Sequence, residues 1–255
     1  MARISIGTPE KASLASPPPG MAGPDRCQAY FAREGDPLHL YLHRLGAGAI
    51  LRIGPMGSDC VVYVWEGAVA ASGASLPQGS SLVVEHRAET ELTAGDDGAV
   101  VLTFAEREPA QAQRSGGHVH LLPRDRVPRY TENVSGGLHA DARCPTCAVW
   151  LHENTMPGMS NEAAQEIAER GIHSHSEDEI IFVTGGSMRL GTKIHGPGTA
   201  IAIAADTMYG FTPGPEGLSF INFRAGFPQA FHMKNGNTFD EAGYWRDRVS
   251  SPEYL

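Results

Sequence analysis

Short apolar runs recur along this chain, each closed by Gly, Pro or Asp. Val61-Val-Tyr-Val-Trp65 and Ile180-Ile-Phe-Val183 are too short for buried helices and rich in β-branched and aromatic residues, which marks them as strands. The same pattern predicts strands at 39–44, 49–53, 60–66, 81–86 and 99–105, then at 147–153, 179–184, 199–204 and 218–224. Many short, turn-bounded strands predict an all-β protein built as a sandwich or barrel. One stretch breaks the pattern. Residues 160–171 read as a short helix, with Ser160 as N-cap, Glu162 in the first turn and Gly171 at the end. Ala163, Ala164, Ile167 and Ala168 form its apolar stripe, and Glu166 and Arg170 an i,i+4 pair.

The pattern repeats. Asp59-Cys-Val-Val-Tyr-Val-Trp-Glu-Gly67 aligns with Asp178-Glu-Ile-Ile-Phe-Val-Thr-Gly-Gly186 at an offset of 119 residues. The offset carries Gly79 onto Gly198, Gly98 onto Gly217 and Phe104 onto Phe223. Upstream the register changes: Leu40-Tyr-Leu-His43 matches Val149-Trp-Leu-His152 at an offset of 109, so the second copy is read with ten extra residues, the helical stretch among them. The implied organisation is a flexible segment over 1–26, a first domain over 27–110, a linker with a first strand region over 111–145, a second domain over 146–232 and a tail over 233–255.

The second copy carries His173-Ser-His175-Ser-Glu-Asp-Glu179 ahead of its strand. On an extended chain His173 and His175 leave the same face, and Glu179 shares their parity. Two imidazoles and one carboxylate on one wall suit Fe(II), and also Mn, Ni, Co or Zn. This run resembles the first motif of the cupin superfamily: HxH, three residues, Glu, six residues and Gly, here His173, His175, Glu179 and Gly186. The resemblance implies two tandem cupin domains, each a jelly-roll β-barrel, with a short helical insertion in the second. The second cupin motif supplies a further histidine, and that position is Tyr209 here. Tyr209 is therefore read as a fourth metal ligand, as a catalytic hydroxyl beside a three-ligand metal, or as a packing residue. His195 and His232 are the nearest downstream histidines, but neither stands at the motif position. In the first copy Gly54, Met56, Cys60 and Thr90 fall opposite His173, His175, Glu179 and Tyr209, so a degenerate first barrel without metal is expected.

The resemblance implies an enzyme with one divalent metal per chain, Fe(II) first: a non-haem dioxygenase acting on a small oxygenated organic acid, diketone or phenol. A redox-neutral lyase or isomerase is the alternative, and a non-catalytic binding or sensor protein the third reading. His152 joins Tyr209 as a candidate catalytic residue touching substrate; Arg189, Lys193 and Arg224 are candidates to hold a substrate carboxylate. The 160–171 helix, directly before the ligands, is a candidate lid. A homodimer is expected by resemblance only.

Composition trims these readings. The net charge of −9 argues against a nucleic-acid partner. No apolar run is long enough for a membrane span and no signal peptide is evident, so a cytoplasmic location is expected. Of four cysteines only Cys144-Pro-Thr-Cys147 forms a close pair, and with no second pair it reads as a turn before a strand. His118-Val-His120 has no carboxylate four residues on and reads as structural.

Overall fold

The computed structural model describes residues 3–24, 26–107, 115–131 and 135–255. The first half contains β1 (Ile4–Gly7), β2 (Ser13–Ala15), β3 (Met21–Ala22), β4 (Cys27–Phe31), β5 (Leu38–Leu45), β6 (Ile50–Ile53), β7 (Cys60–Ala71), β8 (Ala74–Pro77), β9 (Ser81–Val84) and β10 (Thr90–Glu106). There follow β11 (Val119–Leu122), β12 (Arg129–Thr131), β13 (Ser135–Ala140), β14 (Trp150–Met156), α1 (Asn161–Ile167) and β15 (His173–His175). The chain ends with β16 (Glu179–Leu190), β17 (Lys193–His195), β18 (Ala200–Ile203), β19 (Phe211–Arg224), β20 (Ala230–Met233), β21 (Thr238–Asp240) and α2 (Glu241–Arg248). Every strand expected from the apolar pattern is present, and Ser160 caps α1 by accepting a hydrogen bond from the Ala163 N–H.

Two large sheets carry the fold. One runs β11-β9-β7-β10-β5-β4-β2, with β3, β6 and β8 attached; the other runs β1-β18-β16-β19-β14-β13-β12, with β17 attached. Each sheet borrows a strand from the other half of the chain. β1 pairs with β18, and β11 pairs with β9. Within the segment expected to be flexible, β1, β2 and β3 pair with β18, β4 and β6. The segment read as a linker likewise gives β11 to the first sheet and β12 and β13 to the second.

The alternation of side chains explains why the central strands are apolar throughout. In β7, Val61 and Tyr63 face a core that also contains Phe182, Ile221 and Phe223 of the second sheet; Cys60, Val62 and Val64 face a separate core within the first half. In β16, Ile180 and Phe182 face the shared core, and Ile181 and Val183 face inward. Both faces are buried, so no polar alternation is left to read.

The repeat is a structural fact. Gly67 and Gly186 have φ of 71° and 63°, Gly79 and Gly198 81° and 84°, and Gly98 and Gly217 78° and 88°. Asp59 accepts the His86 N–H at 2.8 Å, and 119 residues on Asp178 accepts the Ala205 N–H at 2.9 Å. Equivalent residues even meet across the interface: Phe104 stacks on Phe223 at 5.3 Å, and the Trp65 indole donates to the Thr184 carbonyl at 3.3 Å. Upstream, the expected register is corrected. Leu40 lies opposite Phe104, and Leu151 opposite Phe223, which makes the offset 111 and the insertion eight residues. Tyr41, not His43, is thus the counterpart of His152.

Gly186 provides a test of this geometry. A Cβ there meets the Gly217 carbonyl oxygen at 2.2 Å at positive φ, whereas at Gly185 the nearest atom is 3.7 Å away. Gly186→Ala is expected to lower unfolding free energy by about 1–3 kcal/mol and Gly185→Ala by at most about 1, read by urea denaturation. Equal losses would contradict the turn geometry.

Candidate active site

The site lies at the start of β16, where the inward face of the second sheet meets the C-terminal segment. β15 places His173 and His175 on β20, opposite Met233 and Phe231. Backbone hydrogen bonds of 2.8 Å in both directions join His173 to Tyr209. Their rings lie 4.6 Å apart, and Phe231 stacks on His173 at 4.3 Å. Glu179 opens β16 between Ile203 and Arg224. His173, His175 and Tyr209 line a cavity of about 660 Å³, whereas Glu179, buried at the start of β16, is not among its lining residues.

Hydrogen bonds define what each group can do. The His175 Nδ1 pairs with the Glu241 carboxylate at 2.9 Å, and the His173 Nδ1 with the Gly171 carbonyl at 2.7 Å. Each acceptor takes an Nδ1–H and leaves Nε2 with the lone pair, the arrangement found behind metal-bound imidazoles. The Asn222 amide donates to Glu179 Oε2 at 2.6 Å, while Glu179 Oε1 is buried and has no hydrogen-bond partner among the described residues. Two Nε2 lone pairs and one carboxylate suit a divalent metal in donor type, but their ligand atoms do not all lie within 4.8 Å of one another, as those of Glu85, His120, Cys144 and Cys147 do.

Arg224 is the residue whose role the sequence left undecided. It points into the barrel, 2% exposed, with Nη1 3.0 Å from Glu241 and Nη2 3.5 Å from Glu179. Nη2 also lies 3.3 Å from His175 Nε2, so guanidinium and metal compete for that lone pair. Burial disfavours the Glu241 charge, but Arg224 holds its carboxyl well below the ordinary range. Arg189 instead bonds Asn161 of α1, and Lys193 lies exposed on β17.

Burial, then the Glu179 charge, raises the Tyr209 hydroxyl well above its usual pKa, so the phenol stays protonated. Burial lowers His173, and lowers His152 to about 3, so His152 is neutral. The Trp150 indole donates to His152 Nδ1 at 2.8 Å, which puts the remaining proton on Nε2. His152 lines the cavity.

The cover differs from the expected lid. Residues 161–167 of α1 are absent from the cavity wall; Phe231, Phe239, Tyr244 and Trp245 line it instead. Glu241 was missed by sequence reasoning because it lies in a polar tail with no motif. His195 lies on β17, and His232 bonds Thr238 on β21. His120 does not stand alone, for Glu85, Cys144 and Cys147 gather around it.

Removing Glu241 strands Arg224 and frees His175. Glu241→Ala is expected to cost about 3–5 kcal/mol in unfolding free energy, the scale of a broken buried ion pair. Glu169→Ala, which breaks the exposed pair with Lys234, is expected to leave the denaturation midpoint unchanged.

No protein-family model matches this sequence, and no curated protein matches it. Solved structures do. A mutant of Bacillus subtilis oxalate decarboxylase OxdC superposes with a TM-score of 0.63 at 12% identity, covering 90% of this chain and 79% of that one. Protein Ylba from E. coli, of family-model DUF861, gives 0.62 at 14% identity over 87% of this chain and 90% of that one. At such identity the likeness is one of fold: the chain has the β-rich cupin architecture of these structures.

Proposed function

We propose that the chain is a metal-dependent cupin enzyme with one working barrel, a dioxygenase using Fe(II) held by His173, His175 and Glu179. One observation carries this reading. The Nδ1 hydrogen bonds of His173 and His175 leave both Nε2 atoms as acceptors, that of His175 shared with Arg224, near the buried Glu179 carboxylate. When bound, the metal supplies Lewis acidity and open coordination positions for substrate and O₂.

The chain's own residues shape the rest. Ile181, Phe211, Phe220, Phe231 and Trp245 line the cavity, which suits a substrate with an aromatic or apolar body. Its oxygen-bearing head faces donors of two kinds, the Tyr209 hydroxyl and the His152 Nε2–H. Tyr209, beside Glu179, is cast in this scheme as a hydrogen-bond and proton donor to substrate. The aromatic cover formed by Phe239, Tyr244 and Trp245 excludes water from the reacting groups. Among the described residues of the first barrel, Cys60 and Ala105 stand where the second has Glu179 and Arg224, and Leu51, Val62 and Val64 fill its interior.

A second reading, a redox-neutral lyase, is favoured by the protonated Tyr209 as general acid and by the oxalate decarboxylase fold likeness. Oxygen uptake and product formation with a catechol, a β-diketone and a 2-oxo acid separate the two. Turnover that stops under argon supports the dioxygenase; turnover that persists establishes the lyase. Tyr209→Phe is expected to lower turnover by about 10²-fold with iron content unchanged. Loss of iron in that variant would make Tyr209 a ligand instead. His173→Ala/His175→Ala is expected to abolish iron binding, measured by elemental mass spectrometry.

A further inference from the structure

Outside the barrel site, four potential ligands converge from three separate stretches of chain. Glu85 follows β9, His120 lies on β11, and Cys144 and Cys147 occupy the turn that leads to β14. One donor atom from each lies within 4.8 Å of the other three, and no disulfide joins the cysteines. We propose that Glu85, His120, Cys144 and Cys147 form a closed, structural zinc site that ties the two halves of the fold together.

The donor set is the first argument. Two thiolates, an imidazole and a carboxylate are all established zinc ligands, and a Cys-x-x-Cys turn supplies two of them with the usual spacing. Soft sulfur beside nitrogen favours zinc over the hard cations. Geometry is the second. Tetrahedral zinc with bonds of about 2.0–2.3 Å places its ligand atoms about 3.3–3.8 Å apart. The Cys144 Sγ to His120 Nε2 separation is 3.9 Å, and His120 Nε2 to Glu85 Oε1 is 2.7 Å. Zinc would replace the proton now shared in that short contact, and the pair would widen by about half an ångström. The protons of both thiols would leave as the metal enters.

The surroundings are built as an outer shell. Glu85 is fully buried, and among the described residues its ion-pair partner is His120. Its second oxygen accepts the His118 N–H at 2.8 Å, which fixes the carboxylate. The Thr146 hydroxyl lies 3.4 Å from the Cys144 sulfur. Tyr254 packs on the His120 ring at 4.8 Å, and the Leu255 N–H donates to the Leu121 carbonyl, so the last residues cover the site. Four protein ligands leave no position for substrate, which makes the role structural. The bond would span the halves: Glu85 directly follows β9 of the first sheet, and the cysteine turn runs into β14, which carries His152.

The test uses the full chain, purified without an affinity tag under reducing conditions. Elemental mass spectrometry is expected to find about one zinc per chain, kept in His173→Ala/His175→Ala and reduced at least about tenfold in Cys144→Ser and in Cys147→Ser. Retention in the histidine variant separates this site from the barrel site, whichever metal the barrel takes. Should the serine variants fail to fold, the wild-type chain stripped by chelator and reloaded with Co(II) gives a second measure. Tetrahedral cobalt bands with thiolate-to-cobalt charge transfer in the near ultraviolet are expected. Zinc unchanged in both serine variants, cobalt bands without thiolate absorption, or a Cys144–Cys147 disulfide in the metal-free chain would each overturn the proposal.

Discussion

A guanidinium that cannot reach water governs the second barrel. Arg224 is fully buried, and a lone charge there would be prohibitive, so Glu179, Glu241 and Asn222 must all be in place around it. Glu241 belongs to α2 at the far end of the chain, so satisfying Arg224 obliges the tail to fold over the barrel mouth. The same carboxylate orients His175, and the same helix brings Trp245 against Trp150 and His152. Charge compensation, the orientation of the His175 ring and cavity closure thus depend on one buried cation.

The two copies share a frame and differ in their interiors. In both, an aspartate closes the turn before the central strand and paired glycines take up left-handed conformations. Their interiors differ at a few matched positions. Where the second barrel has Glu179, Asn222 and Arg224, the first has Cys60, Thr103 and Ala105. Replacing polar interior groups by apolar ones removes the need for buried partners, and the first barrel packs as an ordinary core. Its inter-barrel face is kept, because Phe104 and Phe223 are each other's contact.

Strand exchange makes the two halves interdependent. β1 extends the second sheet and β11 the first, so neither sheet is assembled from a contiguous stretch of sequence. Asp59 adds to this by accepting both the His86 and the Ala148 N–H groups, one from each half. The Glu85, His120, Cys144 and Cys147 cluster lies where these crossings meet.

The sequence by itself determined the strands, the helix at Ser160 and the 119-residue repeat. It also marked His173, His175, Glu179 and Tyr209 as the group to examine, by their spacing. Each of these is a matter of local periodicity or fixed spacing, and backbone geometry converts spacing directly into facing. The upstream register failed by two residues for the same reason. A slip of two in a strand keeps every side chain on its face, so the apolar pattern cannot detect it. Only the tertiary structure decided that Arg224 points inward, that Glu241 meets it, and that α2 rather than α1 covers the cavity. It alone placed Glu85 and His120 beside Cys144 and Cys147. These contacts join residues far apart in the chain, and they arise from which strand edges pair and which charges must be compensated in the interior.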